Sequence, residues 1–347
     1  MAQGEPKSPS TPVTPPAPPT AQVAPTSASP AASTTVTAKG EDEKDDKTGF
    51  HIGIDLGNSV TTPTFLYADR VDSDYVGSDL EMSASYAFFV KDIKLSASAM
   101  GSISYEYTLP DNESARRFSW TDLRFSLGAP GLYKNAATGI SFSPSLSLTA
   151  PITMESWSAT TITNLGVSIK AGRSFGPVGV SLAINGSKGF HVSQVKAARN
   201  SDARDAQGRL LQVRRPDDPF AEVMGTNTSG SIGGSIRLSY QATEALTFSM
   251  SYSLAKSFKY TIGVDQFSPK GTRSDGSPIA VGTGTSDRST FNISAGYDLT
   301  DRFGISLGLA TAQAPLDPRG RVRFPFFALG NAALGVTSVN LGLSAAF

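Results

Sequence analysis

The last nine residues, Val339 to Phe347, read VNLGLSAAF and constrain the rest of the chain more than any other stretch. Val339, Leu341, Leu343, Ala345 and Phe347 form an apolar stripe at period two, while Asn340, Gly342, Ser344 and Ala346 form a second face of small residues. Strict alternation over this length is the pattern of a β-strand whose two faces meet different surroundings. A soluble sheet rarely leaves an apolar stripe ending on an aromatic, because such an edge invites pairing with other chains.

The same alternation recurs from Phe50 onward. Stripes run from Phe50 to Leu56, Leu80 to Phe88, Ile93 to Tyr107, Leu123 to Leu127, Ile140 to Leu148 and Leu165 to Ala171. They continue from Val178 to Ile184, Ile232 to Tyr240, Leu246 to Tyr260, Phe291 to Leu299 and Phe303 to Leu309, so the terminal strand is the twelfth. Short links follow the second, sixth, eighth and tenth (VKD, GPVG, ATEA, LTD), and longer ones follow the third, seventh, ninth and eleventh, with 193–227 and 263–287 the longest. The link at 129–139 (APGLYKNAATG) is long for its place in this alternation.

Taken together, the terminal aromatic, the apolar residues at alternate positions before it and the alternating link lengths resemble bacterial outer-membrane β-barrel proteins. The resemblance covers about 50–347 and identifies no subfamily. It implies an all-β fold, a single antiparallel up-and-down transmembrane barrel of about 12 strands over residues 49–347, in outer-membrane lipid. It also implies that Val339, Leu341, Leu343 and Phe347 form the signal read by the barrel-insertion machinery. An even strand count puts both termini on the periplasmic side. Phe347 then pairs across the seam with the strand that opens at Phe50.

Composition agrees with that reading. Charged residues are 17% of the chain, against about 25% in soluble domains. The polar faces of the stripes carry mainly Ser, Gly, Asn and Thr, which suits a lumen better than a soluble exterior. Mean hydropathy is −0.13, and no run approaches the roughly 18 apolar residues of a membrane-spanning helix. Net charge is zero, which gives no electrostatic case for nucleic acid. There are no cysteines, so disulfides, thiolate chemistry and cysteine-ligated metals are excluded. Aromatics cluster near strand ends. Phe50, Tyr86, Phe88, Phe175, Tyr240, Tyr297, Phe303 and Phe347 lie near short links, and Tyr105, Tyr107, Phe190, Phe258, Tyr260 and Phe291 lie near long ones. Two girdles are expected where amphipathic rings meet the two lipid–water boundaries.

Residues 1–48 form a separate unit. They are rich in Pro, Ala, Ser and Thr and end in the acidic EDEKDDK at 41–47. So little apolar surface predicts a disordered or polyproline arm, a solvated periplasmic tether with a periplasmic partner as the functional alternative. MAQGEPKSPS lacks the apolar core of a secretory signal. Ala2-Gln3 resembles a fresh cleavage product, so the expectation is a mature form with an added start.

The parity of the stripes makes Asp55, Glu81, Lys94, Glu106, Asp122, Arg124, Lys170 and Arg237 pore-lining candidates. Their signs balance, which predicts no strong selectivity for anions or cations, and internal ion pairs knitting the barrel are the competing use. The leading function is a channel or transporter for small solutes through a narrow or loop-plugged lumen. The alternatives are a structural or adhesive barrel with a closed lumen and an outer-membrane hydrolase. For a hydrolase, His191 with Ser193 is the available pair, but no motif supplies an orienting carboxylate, and His51 sits alone at the other end. No catalytic residue, metal site or cofactor is assigned. GIDLGNS at 53–59 resembles a phosphate-binding opening of sugar-kinase-like ATPases, but no helical period follows it. Loop 193–227, with Arg199, Arg204 and Arg209 against Asp202 and Asp205, is either solvated, a constriction, or a contact for polysaccharide phosphates. The apolar run FPFFALGNAAL at 324–334 is expected to cover the barrel mouth or line a hydrophobic path.

Overall fold

The computed structural model describes residues 48–61, 76–107, 118–197, 223–260, 284–316, 320–323 and 336–347. The Pro-rich arm, its acidic end, the Arg/Asp core of loop 193–227 and the run 324–334 lie outside the described residues.

Twelve long strands follow one another: β1 (Gly49–Thr61), β2 (Val76–Val90), β3 (Ile93–Glu106), β4 (Leu123–Gly128), β5 (Ser141–Ala150) and β6 (Thr161–Phe175). The second half is β7 (Val178–His191), β8 (Thr228–Gln241), β9 (Leu246–Lys259), β10 (Thr285–Asp298), β11 (Phe303–Gln313) and β12 (Val336–Ala346). Each pairs antiparallel with the next, and β12 pairs with β1 from Gly53↔Ala346 to Thr61↔Ser338, so the sheet has no free edge. Closure is completed by the last residue. Ile52 N–H donates to Phe347 C=O and Phe347 N–H donates to Ile52 C=O, each at 2.9 Å. The rings of Phe347 and Phe303 meet edge-on, 6.3 Å between centroids.

Followed round the ring, the register climbs toward the long loops and returns to β1 about 16 residues further along its strand. For twelve strands that stagger corresponds to a tilt of about 45° and a Cα radius of about 12 Å. Every tight turn lies at one end. Lys91 adopts φ 56 in the turn between β2 and β3, and Gly176 adopts φ 58 before Pro177 between β6 and β7, the positive-φ geometry a two-residue hairpin requires. The long 129–139 link belongs to the same end, where Tyr133–Lys134 folds back to pair with Phe142 and Ser141. Its extra length is therefore spent on a local hairpin, and the ring is not interrupted. At the other end a five-residue helix, α1 (Met154–Ser158), lies between β5 and β6, with Thr153 as its N-cap.

The distribution of side chains is inverted relative to a soluble domain. Among the described residues only Ala129 and Phe291 are buried and apolar, whereas Val167, Ile184 and Leu307 are 58%, 60% and 57% exposed on the outer face. The inner face is hydroxylic. Serine pairs bridge neighbouring strands at Ser98–Ser126 (2.6 Å), Ser145–Ser168 (2.7 Å), Ser187–Ser231 (2.7 Å) and Ser249–Ser294 (2.8 Å). Elsewhere a serine leans over a glycine of the next strand. A Cβ on Gly166 would stand 2.5 Å from Ser147 Oγ, and one on Gly179 would stand 2.5 Å from Ser239 Oγ. The small inner residues thus satisfy one another along the wall and project little into the lumen.

Most aromatics lie where the stripes place them, with two exceptions. Phe291 is 5% exposed, in a buried patch with Ser289, Thr311 and Thr337, a hydroxyl-rich surface unsuited to lipid. Tyr260 lies beyond β9 and turns toward β7, where its hydroxyl donates to Gly189 C=O at 3.3 Å and its ring meets His191 edge-on. Phe118 and Trp120, absent from the sequence-based girdle, are exposed on the outer face beside β3, stacked edge-on 6.0 Å apart.

Candidate functional site

The inner wall carries charged side chains of both signs. Asp55 on β1 is the register partner of Glu81 on β2. Asp79 lies two residues before Glu81 on the same face, opposite Gly57, and its carboxylate leans across that glycine: a Cβ there would meet both oxygens at 2.8 Å. Sequence analysis missed Asp79 because the apolar stripe of β2 was begun at Leu80. Extending the same parity by one step finds it.

The cations stand on other strands. Arg124 on β4 pairs with Met100 and Thr149, and its guanidinium donates to Ser147 Oγ at 3.4 Å. Lys170 on β6 is opposite Ser143 and Ala183, and Arg237 on β8 is opposite Ser181 and Ser251. Once the climb of the register is allowed for, Asp55, Asp79, Glu81, Arg124, Lys170 and Arg237 share a belt about 10 Å deep near mid-height. Lys94 lies nearer the short-turn end and Glu106 nearer the long-loop end. Arg288 on β10, opposite Ala255, is a further inward cation near the long loops that sequence analysis did not single out.

Asp122, expected on the lumen wall, lies one residue outside β4 and serves the loop. Its carboxylate accepts the backbone N–H of Ile152 (2.9 Å) and of Thr153 (2.8 Å) and the hydroxyl of Ser156, tying the start of α1 to the head of β4. It thus reinforces the N-terminus of α1, the end at which a carboxylate is favoured.

The expected internal ion pairs do not form among Asp55, Asp79, Arg124, Lys170 and Arg237. Lys256 and Asp287 form an ion pair at 3.7 Å on the outer face. A recess of about 260 Å³ follows the wall from β4 to β8, lined by Arg124, Ser147, Asn164, Ser168, Asn185 and Ser231. Its lining offers hydroxyls, amides and one guanidinium. No group of three or more His, Asp or Glu side chains able to hold a metal occurs among the described residues.

His191 is committed elsewhere. Its Nδ1 lies 3.1 Å from Ala159 O and 3.3 Å from Thr161 Oγ1, and its Nε2 lies 3.1 Å from Thr228 O. Asn227 completes this rim by donating to Ala159 O (2.7 Å) and Ser193 O (2.9 Å). Neither ring nitrogen faces a serine hydroxyl or a carboxylate, so the His191–Ser193 pair is not assembled. His51 is exposed near the short-turn end.

No family model matches the chain, and no curated protein matches it. Among solved structures it is similar to an outer membrane channel from Pseudomonas putida F1, at 11% identity and a TM-score of 0.50, covering 89% of this chain and 99% of that one. It is also similar to the NanC porin, at 9% identity, TM-score 0.39 and coverage of 84% and 98%. An anion-selective porin from Comamonas acidovorans matches at 9% identity, TM-score 0.36 and coverage of 87% and 99%. Closed without an edge, apolar outside and hydroxylic within, this chain has the fold of a bacterial outer-membrane β-barrel protein.

Proposed function

We propose that the chain is an outer-membrane channel or transporter for small polar solutes, with a narrow lumen lined by Asp55, Asp79, Glu81, Arg124, Lys170 and Arg237, by Lys94 toward the short turns and by Glu106 and Arg288 toward the long loops. One observation carries the reading: Asp55, Asp79, Arg124, Lys170 and Arg237 stand on the same inner belt without forming ion pairs. A charge removed from water costs several kcal/mol unless it is paired. Unpaired charges on an inner wall are therefore supported by water, and a water-filled barrel conducts. A barrel built as a closed structural or adhesive unit gains nothing from this arrangement.

In this reading the short turns and both termini face the periplasm, following the turn-and-loop asymmetry of such barrels. Residues 1–48 act as a solvated periplasmic tether, and Val339, Leu341, Leu343 and Phe347 present the insertion signal. The solute path needs no catalysis, and the hydrogen bonds of His191 disfavour a hydrolase. The test is single-channel recording of the purified full chain in planar bilayers. Discrete conductance steps support the channel; a barrel that migrates as folded but stays electrically silent refutes it in favour of the closed structural barrel.

A further inference from the structure

We infer that the mid-height belt favours small zwitterions, and this rests on the channel reading above. The belt is segregated by sign. Asp55, Asp79 and Glu81 occupy two adjacent strands, β1 and β2, while Arg124, Lys170 and Arg237 occupy β4, β6 and β8. In a ring of twelve, β8 stands six strands from β2, so Arg237 lies across the lumen from the acidic pair of strands. At the height of the belt, β9 to β12 present small and hydroxyl side chains such as Ser251, Ser294, Ser306 and Ser344, which carry no charge between the two arcs.

Opposite charge on facing walls produces a field across the lumen rather than along it. Low-dielectric protein and lipid behind the wall concentrate that field in the aqueous gap. With a Cα radius of about 12 Å and side chains projecting inward from both sides, the gap is about 10 Å. A solute bearing an ammonium and a carboxylate can there turn its cationic end to Asp55 and Asp79 and its anionic end to Lys170 and Arg237. It offsets its own loss of hydration with both arcs at once. An ion of one sign meets attraction on one wall and repulsion from the other, so the belt discriminates weakly between simple cations and anions. A neutral solute of equal size gains from neither. The chemical class is thus small amino-carboxylates, and the acidic side needs only Asp55 and Asp79, which have no ion-pair partner.

The test uses the full chain in liposomes, comparing swelling in alanine with swelling in lactamide, its uncharged isomer, after subtracting protein-free vesicles. Alanine is expected to enter at least about three-fold faster, the effect of less than one kcal/mol of differential interaction. Two variant pairs, Asp55→Asn with Asp79→Asn and Lys170→Gln with Arg237→Gln, are each expected to abolish that preference. In bilayers their ion selectivity should move oppositely, toward anions in the first and toward cations in the second. Single Asp55→Asn and Arg237→Gln variants give the same comparison if a pair fails to fold. Conduction with equal alanine and lactamide rates, or an alanine preference that survives both variants, overturns the inference and leaves the channel standing. A folded but silent barrel overturns both.

Discussion

Ile184 and Asn185 are neighbours on β7, yet they face opposite media. Ile184 is 60% exposed on the outer wall near mid-height, whereas Asn185 lines the inner recess. Replacing Ile184 by Arg sets a cation against the hydrocarbon midplane, where such substitutions cost about 2–4 kcal/mol in barrels of this kind. The lost lipid contact of the isoleucine lies within that range, because a buried side chain of its size is worth about 1.5–3 kcal/mol. The same Arg at Asn185 enters the aqueous lumen beside Ser168 and Gly233 and should cost under about 1 kcal/mol. The assay is guanidinium unfolding and refolding from phosphatidylcholine vesicles, followed by the fluorescence of Trp120 and Trp157, the chain's two tryptophans. A difference of about 3 kcal/mol between the variants corresponds to more than a hundredfold in the folded-to-unfolded ratio. In a soluble protein the order would reverse, since an exposed Ile→Arg change is nearly neutral and improves solubility. Equal costs at the two positions, or a larger cost at Asn185, refute the assignment of faces.

The turn at Gly176 gives a purely backbone test: with φ 58 and nothing within 4 Å of an added Cβ, Gly176→Ala should cost about 1 kcal/mol in the same titration, with no change in conductance. Asp122→Ala removes the acceptor of two amides and a hydroxyl, which should cost about 2 kcal/mol. The loss is local, so proteolysis near Met154–Ser158 should accelerate at least several-fold while the ring stays intact by gel mobility. Deleting Phe347 removes its backbone exchange with Ile52 and its contact with Phe303. Assembly in cells is expected to fall several-fold, measured as the heat-modifiable fraction, and refolding into detergent should fall less.

The ring was legible because its signal is local and repeated. A stripe such as Phe303, Ile305, Leu307 and Leu309 records which face meets lipid, and a dipeptide such as Gly176-Pro177 records where the strand must reverse. Twelve weak signals agreeing in parity are a strong one. The seam followed from that count, and the register Gly53↔Ala346 bears it out. Two kinds of error remained. Stripe edges were misjudged, so Asp79 was left out and Asp122 was assigned to a strand it precedes. Phe291 and Tyr260 were placed by periodicity in surroundings that only tertiary contact decides.

The arrangement of the belt lay beyond the sequence for a different reason. Inward parity names Asp55, Glu81, Arg124, Lys170 and Arg237, but parity carries no height. Height depends on the stagger accumulated over every intervening pair of strands, and a slip of two residues at one pairing preserves all the inward faces. Such a slip between β7 and β8 would carry Arg237 about 5 Å along the axis relative to Arg124. The register Arg237↔Ser181, set by the Tyr240↔Val178 pairing beside the short turns, fixes its level. A balanced list of charges on the page is therefore compatible with ion pairs, with two rings of opposite sign, or with a field across the lumen. The observed register places Arg237 six strands from β2, the arrangement on which the zwitterion inference rests, and on the same wall Gly166 and Gly179 leave room for Ser147 and Ser239 on the strands beside them. A side chain at either glycine would meet that hydroxyl and force it to turn away, so small residues keep the wall between Arg124, Lys170 and Arg237 thin and leave the charged side chains as its main projections.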